Sequence, residues 1–227
     1  MLRAERGGFD GVLCPSGYTL GIDSLSFAAG VAPLLRRIRL LVAVRCGEMW
    51  PPQLARQLAS LDRMLGGRLN VNIISSDLPG APLPSEPRYR RTAECMQILR
   101  SLLDGKPVAQ AGEFYPLELE PPAVRPVRDR APLLYFGGLS EHAREVAAQH
   151  ADVFLMWPEP LPAVRELIAD MRARAQRYGR QLRFGYRVHM IVRETEGEAR
   201  EEARRLVSRL EPEVGTAIRE RPLNGFV

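Results

Sequence analysis

The sequence has 227 residues, of which 45% are hydrophobic and 26% charged, and its formal net charge is +5. This size and balance favour one soluble α/β domain over residues 1–227, with no apolar run near the roughly 20 residues that a membrane-spanning helix needs. The excess of arginine is interleaved with acidic residues, which is typical of a solvated surface and disfavours nucleic-acid binding. The amino terminus lacks the apolar core of a signal peptide, so we expect a cytoplasmic protein. Three widely spaced cysteines predict neither a disulfide framework nor a metal site.

The first half of the chain alternates short apolar runs with amphipathic segments. Val12-Leu13-Cys14 predicts a short strand, and a helix over 22–35 follows with Asp23 as its N-cap. The continuous aliphatic run 38–44 is typical of a parallel strand covered on both faces. A helix opened by Pro51-Pro52 and ended by Gly66-Gly67 comes next, with an apolar stripe of Leu54, Leu58, Leu61 and Leu65.

The second half continues the alternation. The pattern predicts strands over 69–74, 133–136, 153–157 and 184–192, and helices over 88–103, 140–149, around 164–171 and from 195 to about 210. Residues 104–131 are rich in proline and are predicted to be irregular. Thr195 and Glu198 have the spacing of a capping box at the start of the last helix.

This order predicts six strands, nearly all followed by helices. Such alternation indicates a parallel sheet with right-handed crossovers. An open doubly wound sheet and a TIM barrel both fit, although a complete barrel has eight strands in about 250 residues.

The segment from Pro132 to Trp157 contains the strongest functional signal. A buried strand runs through Gly137-Gly138 directly into a helix. Such a turn lets backbone N–H groups approach a phosphate, and the helix dipole favours its charge. Physical reasoning therefore predicts a ligand that carries a phosphate, without identifying it.

Several segments, in order, resemble the bacterial luciferase-like flavin monooxygenases, and most closely the alkanesulfonate monooxygenases that use reduced FMN. They span Gly8 to about Leu210 and read GFDGVLCPSG, RIRLLVAVR, PPQLARQLASLDRMLGGRLNVNIIS, RYRRTAE, PLLYFGGLSEHAREVAAQHADVFLMWPEP and RFGYRVHMIVRET. The resemblance implies a (β/α)8 TIM barrel with FMN at the carboxyl ends of the strands. On this alignment the barrel is incomplete, and its first and last strands are missing.

The resemblance also implies a two-component reaction. A separate flavin reductase would supply FMNH2, which reacts with O2 to give a peroxyflavin that oxidises a small organic substrate, with an alkanesulfonate as one candidate. The family's members are usually homo-oligomers. Two alternatives stay open: hydride transfer with a deazaflavin coenzyme on the same fold, and a truncated, catalytically inactive barrel fragment that binds flavin.

Arg187 and His189 are the predicted catalytic residues. On the last strand they share a face by the period of two, and the R-x-H that they form resembles the one in the sulfonate monooxygenases. The resemblance implies that Arg187 pairs with a sulfonate, while His189 handles protons or stabilises the peroxyflavin. Without the resemblance, two side chains hydrogen-bonded into the sheet would be the commoner interpretation.

The FMN phosphate is predicted to bind at the glycine turn through Gly138, Leu139 and Ser140. Leu139 stands where the family commonly has serine, which removes one hydroxyl donor but spares the backbone donors. Tyr89 matches a family tyrosine that often reaches the same phosphate, and packing at the loop entrance is its alternative role.

Five further positions lie near predicted strand ends. Asn72 and Ser75 end the third strand and are predicted to contact the flavin ring, whereas Arg45 is a weaker candidate. Trp157 could line the pocket or plug the barrel. Leu20 occupies the position of the active-site cysteine of the sulfonate monooxygenases, so the resemblance leaves alkanesulfonate specificity open.

Overall fold

A computed structural model describes residues 1–211 and 213–215 of the chain. The end of the single domain expected over residues 1–227 therefore lies outside the described residues. In chain order, the elements are α1 (Leu2–Arg6), β1 (Gly11–Cys14), α2 (Ser24–Val31), a 3-10 helix (Ala32–Leu34), β2 (Arg39–Arg45), α3 (Pro51–Met64), β3 (Leu69–Ile74), α4 (Ser85–Leu103), β4 (Val108–Ala111), β5 (Pro116–Leu119), β6 (Leu133–Phe136), α5 (Glu141–His150), β7 (Val153–Met156), α6 (Leu161–Arg177), β8 (Arg183–Tyr186) and α7 (Glu196–Val207).

The main sheet has the winding of a barrel. Its six strands are parallel and lie in the order β1-β2-β3-β6-β7-β8. A doubly wound sheet would reverse this order at a switch point, and this sheet does not. Each strand is added on the same side of its predecessor, as in a TIM barrel. The structure is consistent with an incomplete barrel, in which β1 and β8 have no further neighbour among the described residues.

The two faces of the sheet follow the period of two along each strand. On β2, Leu40, Val42 and Val44 are buried and belong to the core shared with the helices. The intervening side chains face the opposite, inner side of the curled sheet, where the pairing register places Ala43 beside Asn72 and Asn72 beside Tyr135.

The helix layer packs as its apolar stripes predict. The stripe on α3 is buried, with 0–3% exposure at Leu54, Leu58, Leu61 and Leu65. Asp23 caps α2 through a hydrogen bond from the Ser26 backbone N–H (2.8 Å). The capping box of α7 is also confirmed, so the sequence specified the caps of these two helices.

The irregular structure predicted for residues 104–131 is wrong in part, because β4 and β5 pair there as an antiparallel hairpin. The Glu94 carboxylate on α4 holds the turn, accepting hydrogen bonds from the backbone N–H groups of Glu113, Phe114 and Tyr115 at 2.9–3.0 Å. A carboxylate from another element thus stabilises this hairpin, and the sequence of residues 104–131 alone does not show it.

The last strand is shorter than the predicted 184–192, since β8 ends at Tyr186. The Arg187 N–H still donates to the Met156 carbonyl (3.0 Å), which is the final bond of the ladder. Beyond that point β7 has ended and Pro158 follows, so no strand among the described residues lies beside the chain after Arg187 to pair with it. The placement of His189 on this strand is therefore wrong.

Within the described residues, no helix is long and apolar enough to cross a membrane. Cys14, Cys46 and Cys95 are buried free thiols. In the same part of the chain, no group of three or more His, Cys, Asp or Glu side chains could hold a metal ion.

Candidate active site

The carboxyl ends of the parallel strands bring most of the predicted site residues to one edge of the sheet. Arg45 ends β2, Ser75 follows β3, and Gly137 follows β6. Trp157 follows β7 and Arg187 follows β8. Because all these strands are parallel, the residues lie on the same rim, where barrel enzymes place their active sites.

The glycine turn after β6 presents free backbone donors. Ser140 is the N-cap of α5, and its Oγ accepts the Ala143 N–H (3.2 Å), which leaves its own hydroxyl hydrogen available. No described residue accepts a hydrogen bond from the backbone N–H of Gly138, Leu139 or Ser140. These donors lie at the positive end of the α5 dipole and can bind an anion.

Both glycines of the turn are required by close packing. A Cβ on Gly137 would lie 2.3 Å from the Leu155 carbonyl oxygen of β7. A Cβ on Gly138 would lie 2.6 Å from Cβ of Ala143 on α5. The backbone of the turn is therefore held directly against a strand and a helix.

Tyr89 on α4 points its hydroxyl at this turn. Its side chain is 6% exposed, and its ring packs edge-on against Phe136 at 6.3 Å between centroids. The hydroxyl lies 3.6 Å from the position that a Cβ of Gly138 would occupy, and it bonds to no described residue. Unlike the ring, the hydroxyl is open to solvent, so a ligand at the rim can accept its hydrogen bond. The structure thus brings Tyr89 together with Gly138, Leu139 and Ser140.

His142 is a neighbour of this cluster that the sequence did not single out. Its imidazole stacks on the Tyr89 ring, with centroids 6.5 Å apart and an angle of 26° between planes. It is exposed and occupies the second position of α5, one turn from the free amides. Its place beside the glycine turn was a usable signal, but only the contact with Tyr89 shows which way the ring faces.

Arg187 forms a cation–π pair with Trp157. The guanidinium carbon lies 4.4 Å from the centroid of the indole ring. No described residue forms an ion pair with this guanidinium, so its in-plane N–H groups can receive a planar or tetrahedral anion. Stacking gives Trp157 a defined position between β7 and β8, which the sequence left open.

His189 is exposed and lies two residues beyond Arg187 in a segment without regular structure. The argument from strand periodicity that placed both side chains on one face therefore fails. The structure brings Arg187, but not His189, into a defined contact at this rim.

Asn72 and Ser75 occupy different environments. Asn72 lies in the middle of the inner face, paired with Ala43 and Tyr135 on the neighbouring strands. The Ser75 Oγ is 2.9 Å from the Thr92 hydroxyl of α4, which ties the loop after β3 to that helix. Thr92 is a further residue that the sequence did not indicate.

Arg45 joins three loops at the same rim. It is 9% exposed, donates to the Ser76 hydroxyl and to the Ser16 carbonyl (3.1 Å), and lies 3.7 Å from the Glu48 carboxylate. Burial raises the pKa of Glu48 above its ordinary value, although the charge of Arg45 opposes this. With these partners Arg45 serves to position the loops after β1 and β3.

The rim therefore has two places for an anion, the glycine turn with Tyr89 and the guanidinium of Arg187. They follow β6 and β8, which have only β7 between them. Two strand spacings separate them by about 10 Å, so one extended ligand, or a cofactor beside a substrate, could occupy both.

A family model described as luciferase-like monooxygenase matches residues 1–224 of the chain. A sulfoquinovose monooxygenase from Novosphingobium aromaticivorans is 59% identical to it, over 99% of this chain and 64% of the relative. A second sulfoquinovose monooxygenase, from Agrobacterium fabrum, is 47% identical over 96% of this chain and 57% of the relative. The chain thus spans less than two thirds of the length of these curated relatives.

The fold is also similar to solved structures. EDTA monooxygenase from Chelativorans sp. BNC1 superposes with a TM-score of 0.83 and 20% identity, over 92% of this chain and 58% of that one. At this identity the likeness concerns the fold alone.

Proposed function

Because the chain belongs to the luciferase-like monooxygenase family, we propose that the carboxyl-edge rim binds reduced FMN and oxidises a sulfonated sugar of the sulfoquinovose type with O2. The chemistry is cleavage of a carbon–sulfur bond. A carbon that carries a sulfonate becomes a carbonyl group, sulfite leaves, and one oxygen atom of O2 ends in water. Two electrons and two protons from the reduced flavin balance this reaction.

One observation carries the cofactor assignment: Tyr89 is 6% exposed, and its unpartnered hydroxyl faces the bare backbone amides after β6. These amides, the Ser140 hydroxyl and Tyr89 fit a phosphate, because each offers a hydrogen that no described residue accepts. Leu139 packs against the core and contributes only its backbone N–H. Free riboflavin, which lacks the phosphate, would lose all these contacts.

The substrate assignment depends on Arg187. A sulfonate has three oxygens around one negative charge, and the guanidinium fork can donate two parallel hydrogen bonds to it. Stacking on Trp157 holds the fork at the rim and shields one of its faces from water. The names of two similar relatives, both sulfoquinovose monooxygenases, support a sulfosugar as the substrate class.

When bound, the reduced flavin supplies the electrons that activate O2, and a separate reductase delivers it. The residues of this chain bind the flavin and the substrate and orient them. The glycine turn fixes the phosphate end, and Asn72 on the inner face offers an amide to the ring system. His189 remains a proposed proton-transfer residue that would have to move in from its exposed position. Self-association is a separate prediction that light scattering on the purified protein would check.

The test is sulfite release. Purified protein is mixed anaerobically with photoreduced FMN and sulfoquinovose, and oxygenated buffer is then added. We expect sulfite in proportion to O2 consumed, and none when protein, O2 or sulfonate is omitted. In Arg187→Gln the rate of sulfite release should no longer saturate with sulfosugar concentration, while the quenching of flavin fluorescence stays intact.

Three outcomes would contradict parts of this proposal. Flavin binding without sulfite from any sulfonate would leave a flavin-binding protein without this activity. If the protein quenched the fluorescence of a deazaflavin coenzyme but not that of FMN, the activity would be assigned as hydride transfer instead. Absence of binding for both cofactors would remove the proposed site altogether.

A further inference from the structure

A cavity lies at the end of the sheet opposite to the carboxyl-edge rim. It has a volume of about 390 Å³ and opens at the amino ends of the strands. Four arginines line it: Arg39 at the start of β2, Arg128 and Arg130 before β6, and Arg183 at the start of β8. We call it the amino-end cavity.

The positive charge of the amino-end cavity is not neutralised by the protein. None of the four guanidinium groups forms an ion pair or hydrogen bond with another residue among 1–211 and 213–215. Asp62 is the acid in the lining, but it is 4% exposed and its carboxylate already accepts the N–H groups of Val127 (2.9 Å) and Leu69 (3.4 Å). Four like charges around one concavity repel each other unless an anion lies between them.

The backbone before β6 places two of these arginines in the lining. Asp129, between Arg128 and Arg130, has a φ of +49°, the left-handed conformation that aspartate tolerates better than most residues. Its N–H closes a turn on the Pro126 carbonyl (3.1 Å). This turn allows residues 128 and 130 to line the same cavity.

Polar groups on the inner face complete the lining. Asn70 is 9% exposed, and its side-chain amide bonds to no described residue. Leu133 of β6 lies beside Asn70 in the pairing register, and Tyr135, two residues further along β6, also lines the cavity. The cavity thus combines arginine forks with neutral donors, the combination that binds phosphate or sulfate groups bidentately.

We propose that the amino-end cavity binds a small oxyanion with more than one negative charge, bearing phosphate or sulfate groups. Its volume suits a small molecule. The site is distinct from the rim of the proposed function. Arg183 and Arg187 are four residues apart along one extended chain, about 13 Å, and lie at opposite ends of β8. A nucleic acid fits less well, because the four exposed arginines converge on one concavity instead of forming a stripe.

The experiment measures binding of inorganic pyrophosphate by calorimetry, at an ionic strength held constant with chloride. Arg183→Gln and Arg130→Gln each remove one cation from the lining. Arg165→Gln is the matched control, since Arg165 is an exposed residue of α6 outside the cavity and loses the same charge. We expect each cavity variant to weaken binding by at least 10-fold, the control by less than 2-fold, and Arg183→Lys by an intermediate amount.

FMN quenching in the same variants separates this site from the rim. It should be unchanged in Arg183→Gln, with thermal unfolding measured to show that the variant is folded. Equal losses in the control and cavity variants would show diffuse charge attraction and overturn the proposal. It would also be overturned if wild-type protein binds no pyrophosphate, or if Tyr89→Phe abolishes pyrophosphate binding while Arg183→Gln does not.

Discussion

Replacing Tyr89 by phenylalanine tests the phosphate site with little disturbance elsewhere. The hydroxyl has no partner among the described residues, so its removal breaks no internal hydrogen bond, and the ring keeps its edge-on contact with Phe136. The free energy of unfolding should therefore be unchanged. A hydrogen bond to a charged group contributes about 1.5–3 kcal/mol, so FMN affinity should fall by about 10- to 100-fold.

The assay compares two ligands that differ only in the phosphate. Quenching of flavin fluorescence gives dissociation constants for FMN and for riboflavin, and only the FMN value should change in Tyr89→Phe. Tyr115→Phe is the matched control, because Tyr115 is also 6% exposed and its hydroxyl is likewise unpartnered, but it lies in the β4–β5 hairpin region. An equal loss of FMN and riboflavin binding would refute the reasoning, since it would place Tyr89 at the ring or in the fold and not at the phosphate.

Three further predictions concern stability. Burial lowers the pKa of His150 to about 4 from an ordinary 6.5, so the neutral form is favoured on folding, and up to about 3 kcal/mol of stability should disappear as the pH falls from 6.5 towards 4. Urea unfolding at several pH values should show this dependence flattened in His150→Gln. Hydrogen bonds from the backbone of residues 36–38, the largest from Arg37, lower the pKa of Glu5 to about 2. Its stabilisation is complete above pH 4.5 and is lost as the pH falls through 2, so Glu5→Gln should make acid unfolding, followed by circular dichroism, begin at higher pH. Gly137→Ala forces a Cβ to 2.3 Å from the Leu155 carbonyl oxygen, so it should lower the free energy of unfolding in urea by about 1–3 kcal/mol and also weaken FMN binding. An unchanged urea midpoint would show that the backbone of the turn can shift to accommodate the methyl group.

The parts of the fold that were predictable from the sequence are those whose signals are local. The bounds of β3 and β6 match the predicted runs 69–74 and 133–136, because uninterrupted apolar residues are bracketed by glycine, proline or polar residues. The hairpin in 104–131 was not predictable in this way, since Glu94 holds it from another element. The end of β8 depends on where its neighbour β7 stops, and no pattern within 184–192 contains that information.

In the candidate site, too, the features with local signals were predictable and those that depend on packing between elements were not. The glycine turn follows from a strand that runs into a helix, and the family resemblance paired it with Tyr89, which the structure places beside it. The contacts of His142 with Tyr89 and of Trp157 with Arg187 join residues on adjacent elements, so they require the packed arrangement. His189 was placed by periodicity on a strand that ends before it, because the pattern of residues does not contain the point at which the strand stops.

Charge alone would favour the amino-end cavity over the glycine turn as the phosphate site of the proposed cofactor, because the cavity has four arginines and the turn has none. The helix dipoles resolve the conflict. Helices that connect parallel strands run antiparallel to them, so their positive ends lie at the carboxyl edge and their negative ends at the amino edge. At the glycine turn, amides and dipole act together on an anion within a packed backbone. In the amino-end cavity the arginines are exposed. They attract an anion that the negative ends of the helices repel, for instance the end of α3 near Gly67. Oxyanion binding there should therefore weaken steeply with added salt, whereas FMN binding at the glycine turn should be much less sensitive.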